Sequence, residues 1–206
     1  MNRILILTAG ILATVVASLI GLVLLPERQL NPFGPVTVTT ADGRELTYPQ
    51  PRDTWREQPG KRIYESLGCI YCHSQQVRPD GFGGDLERGW GRRRSVPRDY
   101  LYDNPPLLGS MRTGPDLASI AQRQPSPEWH FLHLYDPQLT SPGSVMPPFK
   151  FLFEVVEGKP GGLTDAIKLL GDDRDKDLWI VPTNEARELV GYLLSLDQEH
   201  DLEQVQ

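Results

Sequence analysis

Gly68-Cys69-Ile70-Tyr71-Cys72-His73-Ser74-Gln75 decides the reading of this chain. Two cysteines spaced by two residues and followed at once by histidine form the attachment pattern of a c-type haem. The thiols of Cys69 and Cys72 add to the porphyrin vinyl groups, and His73, next in the chain, reaches the iron. These are the only cysteines in 206 residues, so once committed to a haem they leave none for a disulfide. A zinc site wants four ligands, and no second cysteine pair exists. A thioredoxin-like dithiol wants a βαβ setting that the pattern around Cys69 does not supply. The expectation is one covalently bound haem c, with Cys69 and Cys72 as its anchors and His73 as the proximal iron ligand. Gly68 leaves room for close backbone approach at the attachment point.

The other face of the iron needs a ligand too. Beyond the initiator, the methionines are Met111 and Met146. Met146 sits in Ser141-Pro142-Gly143-Ser144-Val145-Met146-Pro147-Pro148, where prolines stiffen the loop. A thioether on a stiff loop meets iron at little entropic cost, and a Met/His pair raises the potential as electron transfer requires. Met146 is therefore the expected distal ligand, and Met111 the expected gap-filler in packing. His130 and His133 are outside candidates, read first as residues of a short amphipathic helix. For the haem propionates the candidates are Trp90, Arg92, Arg93, Arg94 and Arg112. The run Arg92–Arg94 reads more readily as a solvated or partner-facing patch than as propionate partners.

Ile4–Leu25 is a run of 22 uncharged, mostly apolar residues. As a helix it spans ~33 Å, enough for a bilayer core. A cleaved signal peptide usually has an apolar stretch of about 7–15 residues, and here the small residues Ala17 and Ser18 lie inside the run. An uncleaved single-pass anchor fits better. Haem attachment takes place outside the bacterial cytoplasm, so the amino terminus is expected inside and the haem domain on the periplasmic side of the inner membrane.

Beyond the anchor, 19 Pro and 19 Gly imply a loop-rich fold with short helices. Val36–Thr40 reads as a short strand and Asp42-Gly43 as a turn, within an arm or linker. Gly60–Leu67 reads as a helix running into the haem motif. Asp116 reads as the cap of a short helix through Ala121. Ser126-Pro127 opens another helix, which Pro137 stops. Thr183–Gln198 is the clearest helix, with Ala186, Leu189, Val190, Leu193, Leu194 and Leu196 as its apolar stripe. A helix before the haem motif crossing a carboxy-terminal helix resembles the class I cytochromes c. The expected fold is mainly α: an anchor at 1–28, a linker at 29–58, and a loop-rich class I cytochrome c-like domain at 59–206.

The formal charge is −6, which argues against nucleic acid as a general partner. Charge is uneven: Leu86–Arg112 holds six arginines against three acids, and Phe151–Gln206 holds five bases against thirteen. Two differently charged faces, or two merely solvated ones, fit this pattern.

Further motifs narrow the class. They are Cys72-His73-Ser74-Gln75 with Arg78-Pro79, Arg88-Gly89-Trp90-Gly91, Leu101-Tyr102-Asp103, Leu108–Leu117 containing Arg112-Thr113-Gly114-Pro115-Asp116, Trp129-His130 with His133, and Pro142–Pro147. Together with the anchor they resemble the membrane-anchored mono-haem subunit II of cbb3-type cytochrome c oxidases. The resemblance implies that Met146 is the sixth ligand. It implies a haem–copper catalytic subunit as partner, with electrons arriving from a di-haem subunit or a soluble cytochrome c and passing to haem b. Oxygen reduction would then occur in that partner. The small subunit of a nitric oxide reductase shares the anchor-plus-haem plan and is the alternative. A haem-based sensor or peroxidase with an open distal site is the reading that Met146 argues against.

Overall fold

Asn2 opens the first helix by accepting the Ile4 backbone N–H on its side chain. Helix α1 (Arg3–Leu19) continues through a π-helical turn (Ile20–Leu24) into α2 (Leu25–Leu30), giving an apolar helix over Arg3–Gln29 long enough to cross a membrane. No residue of α1 is buried against the rest of the chain. Its two threonines, Thr8 and Thr14, donate to the carbonyls of Ile4 and Gly10 at 2.9 Å, so their hydroxyls are satisfied within the helix.

The structure is a computed structural model that describes residues 2–30, 34–40, 42–51, 57–169 and 177–205. Parts of the expected linker (31–33, 41 and 52–56) and part of the acidic third (170–176) lie outside the described residues. The chain divides into two units. The first comprises Met1–Gln50, Val96–Leu101 and Gln204–Gln206, the second Pro51–Ser95 and Tyr102–Glu203.

In the first unit, β1 (Val36–Thr39) pairs antiparallel with β2 (Glu45–Tyr48), Val36 opposite Tyr48 and Thr39 opposite Glu45. The strand and turn expected here are both present, apart from Thr40, which follows the strand. Buried Tyr48 donates its hydroxyl to Asp99 at 2.7 Å. Arg98, also buried, donates to the carbonyls of Gly34 (3.1 Å) and Val205 (2.5 Å). This arginine of the basic run is therefore structural.

The second unit is built around a helix crossing. Helix α3 (Glu57–Ser66) packs on α7 (Asn184–Leu194). A Cβ at Gly60 would lie 2.0 Å from the Glu188 carbonyl oxygen, so glycine is what lets the two backbones touch. One turn along, the rings of Tyr64 and Tyr192 lie 5.6 Å apart. Thr183 caps α7 by accepting the Ala186 N–H, and the stripe Ala186, Leu189, Val190 and Leu193 is buried. Each such leucine or valine contributes roughly 1.5–3 kcal/mol. The short helices α4 (Ile120–Arg123), α5 (Pro127–Tyr135) and α6 (Pro137–Thr140) complete the helical part, with Ser126 capping α5 as expected. Asp116 accepts the Ala118 N–H but α4 begins only at Ile120, so its cap bond closes a turn ahead of the helix.

A small sheet is added to this mainly helical plan. β3 (Phe153–Glu157) and β4 (Ile167–Lys168) flank the central β5 (Leu178–Pro182), both antiparallel to it. The last short helix, α8, covers Leu202–Val205. The architecture is one apolar amino-terminal helix plus a mostly helical, loop-rich domain, as expected.

Candidate haem site

Helix α3 ends at Ser66, and Gly68 takes φ +75°, the left-handed region that glycine enters freely. This turns the chain into a 3₁₀ turn over Cys69–Tyr71, so Cys69, Cys72 and His73 face one cavity. The cavity measures about 640 Å³, within the range of small-molecule and cofactor pockets. Its walls are largely apolar, with Leu67, Leu117, Ile120, Leu134, Leu189 and Leu193 among them. Met146 lines it too. All four residues expected at the iron and its thioethers thus meet in one space, although Met146 is far from the others in sequence.

His73 is set for one role. Its Nδ1 lies 2.8 Å from the Pro115 carbonyl oxygen, which can only accept, so Nδ1 carries the proton. The lone pair is then on Nε2, the arrangement a metal-bound imidazole needs. Burial pulls its pKa down, against the Pro115 hydrogen bond, and favours the neutral ring. Gly114 makes the close approach possible: a Cβ there would lie 2.2 Å from the ring. The Cys69 thiol is pushed up to about 11, chiefly by burial. A reactive dithiol needs the opposite shift, so this environment fits a thiol destined for an apolar adduct.

The backbone behind His73 is tied down at several points. Gly114 N–H donates to the Cys72 carbonyl (2.9 Å), Leu117 N–H to that of Ser74 (2.8 Å), and Gln75 N–H to that of Leu108 (2.9 Å). The buried carboxylates Asp85 and Asp116 sit behind this wall. Asp85 accepts from the Arg78 backbone and guanidinium and pairs with Arg112. Burial works to raise the Asp85 carboxyl, but the two arginines outweigh it and hold it at about 2.

Met146 is placed by its loop. Gln138 of α6 donates from Nε2 to the Ser144 carbonyl (2.5 Å) and accepts the Gly143 N–H (2.8 Å). The Met146 N–H donates to Ser144 Oγ (3.2 Å), and the Phe149 N–H to the Leu134 carbonyl (2.8 Å). Met111 is 57 % exposed and does not line the cavity, so it is a surface residue and not the expected gap-filler. His130 is buried with Nε2 donating to the Gln124 carbonyl at 2.9 Å, which makes it a core group. His133 lines the cavity, its Nδ1 2.5 Å from Thr140 Oγ1 and its ring stacked on Trp129 at 4.6 Å. Burial, with His73 and His130 adding to it, pushes the His133 ring down to about 4.

The candidate propionate partners do not meet the cavity. Arg112 is committed to Asp85 and the Gln76 carbonyl, and Arg93 to the carbonyls of His200 and Arg94. Arg92 is exposed beside Glu199, and Trp90 carries Arg88 and Arg112 at 5.0 and 5.6 Å from its ring. The arginine that does line the cavity is Arg123, with its Nε buried and without a hydrogen-bond partner. An orphaned, buried guanidinium donor facing an apolar cavity fits an anionic group entering with the ligand. Its place just after Gly114–Leu117 was the available signal, hidden because a single arginine carries no pattern.

The matched family spans most of the elements just described. Residues 7–160 match the family described as cytochrome c oxidase, mono-heme subunit/FixO. The chain belongs to the FixO family. A search of curated proteins returns no match. Membership makes this chain a mono-haem cytochrome c oxidase subunit, associated with an oxidase complex in a membrane. For a FixO chain, the apolar helix over Arg3–Gln29 is consistent with a membrane anchor, and the cavity at Cys69–His73 with the single haem of the family. The residues present also fit that group: a lone-pair Nε2, two thiols on one turn, a thioether and a guanidinium whose buried Nε–H lacks a partner.

Proposed function

We propose that this chain is the membrane-anchored electron-relay subunit of a cbb3-type oxidase. It carries one haem c bound covalently through Cys69 and Cys72, with His73 and Met146 as the axial ligands. In this reading residues 1–28 anchor the chain in the bacterial inner membrane, 29–58 link, and 59–206 hold the haem on the periplasmic side. Electrons come from a di-haem subunit or a soluble cytochrome c. They go to the haem b of a haem–copper catalytic subunit, where oxygen is reduced in aerobic respiration. The observation that carries the proposal is the cavity that gathers Cys69, Cys72, His73 and Met146 in a chain of the FixO family.

When bound, the haem supplies a one-electron couple. The chain does the rest. Pro115 holds the His73 proton on Nδ1 and so presents Nε2 to the iron. The apolar wall keeps water out, which lowers the reorganisation that accompanies electron transfer. The Gln138-stapled loop presents the Met146 thioether, a ligand that raises the potential. Arg123, half-buried with its Nε–H unpartnered, offers a cation to a carboxylate of the cofactor.

Affinity purification of the full-length chain from membranes tests this. The expected result is co-recovery of a copper-containing catalytic subunit, and haem staining of this subunit on a denaturing gel that is lost in Cys69→Ala and Cys72→Ala. Recovery with a partner lacking copper, or staining unchanged in both variants, overturns it.

A further inference from the structure

We propose that Asp116 is a positioning residue for the proximal ligand. Its carboxylate locks the backbone following His73 to the residue following Pro115, and so fixes the hydrogen bond from the His73 ring to the Pro115 carbonyl. The inference rests on the haem reading above.

Asp116 is fully buried. A buried carboxylate is costly unless its oxygens are filled with donors, and here they are. Oδ2 accepts from Ser74 Oγ (2.6 Å) and from the Gln76 N–H (2.8 Å), and Oδ1 accepts from the Ala118 N–H (2.8 Å). Arg112 stands 3.7 Å from Oδ2, and Arg123 donates to the Asp116 backbone carbonyl. The contacts close a ring. His73 leads by the chain into Ser74–Gln76, these bond to Asp116, Asp116 follows Pro115, and the Pro115 carbonyl returns to the His73 ring at 2.8 Å.

The chemistry of the site calls for a carboxylate. Donors approach both oxygens, so the group must be acceptor-only on both sides. Asparagine satisfies one side and turns its NH₂ against an N–H on the other. Glutamate keeps the charge, but its extra methylene moves the oxygens off these donors. A firmly held Nδ1–H···O=C bond makes an imidazole a stronger donor to metal, which favours the ferric state. Loosening the ring therefore raises the reduction potential. Loss of a buried negative charge acts in the same direction, so charge and geometry have to be separated.

The experiment is a redox titration of the full-length chain in its purified complex, with covalent haem checked by gel staining. Asp116→Asn should raise the reduced-to-oxidised ratio at fixed potential about tenfold, ~59 mV for a one-electron couple. Asp116→Glu should shift the same way even though it keeps the charge. Ser74→Ala, which keeps Asp116 and removes one bond of the ring, should shift about threefold. Asp116→Glu titrating with wild type means that charge alone acts and overturns the inference. If neither Asp116 variant accumulates, Ser74→Ala decides, and an unshifted potential there overturns it as well. A wild-type chain without stainable haem overturns the haem reading itself, and this inference with it.

Discussion

The two walls that carry His73 and Met146 are held in different ways. Behind His73, segments 72–76 and 112–118 are joined by backbone bonds and by the fully buried carboxylate Asp116, while a second buried carboxylate, Asp85, ties Arg112 to Arg78. Behind Met146, the loop 141–147 relies on its prolines and on neutral side chains, Ser144 within it and the exposed Gln138 beside it. Charge-assisted bonds in a dry setting are roughly twice as strong as neutral ones. The histidine side is therefore preset, while the methionine side is a lighter loop laid over the cavity.

The sharpest way to break that contrast is Gly114→Ala. The new Cβ would sit 2.2 Å from a ring that Pro115 and Asp116 do not allow to retreat. A loss of about 3 kcal/mol and a fall in haem content are expected, read by thermal unfolding and gel staining. A normal melting temperature would mean that the wall yields more than its bonding implies.

Met146→Ala tests the other wall. We expect the haem to stay attached, stability to fall by about 1–2 kcal/mol for a half-buried side chain, the thioether–iron absorption band to vanish and the potential to drop. Persistence of the band would remove Met146 from the iron.

Acid should weaken the His73 wall through Asp85. Its carboxyl is held at about 2 when folded, below the ordinary unfolded value of about 3.9, so its stabilisation is full above about pH 4. It is lost as pH falls toward 2. With partly exposed Arg78 among the partners, the effect is on the order of 1 kcal/mol. Acid titration should show this slope in wild type and not in Asp85→Asn.

Gln138→Ala should have the smallest effect, under about 1 kcal/mol, since two neutral bonds at the surface are replaced by water. Its mark should be spectroscopic: a weaker thioether band with the His73 side unchanged. A large loss of stability would place the two walls on equal terms.

Local pattern explains which parts were legible beforehand. The anchor, the α3/α7 pair, the capped α5 and the haem motif each rest on neighbours in sequence or on helical spacing. The β3–β5–β4 sheet went unseen because its strands are short and pair across long separations, though Phe153–Glu157 and Leu178–Pro182 do carry β-branched residues. The run Arg92–Arg94 looked like a surface, yet Arg93 is buried on the His200 carbonyl. Charge counting along a chain says nothing about which guanidinium folds inward.

The Cys69–His73 turn and the apolar amino-terminal helix are legible in the sequence because each is written in adjacent or evenly spaced residues, and Met146 stands out as the expected second ligand by its proline-bracketed loop. Only the tertiary packing set the Pro115 carbonyl to accept the His73 Nδ1–H and made Gly60 and Gly114 the points of backbone and ring approach. It alone brought Arg123, and not the arginine run, to the cavity. Those contacts join residues tens of positions apart, and only packing around the cavity selects which of many possible partners meet.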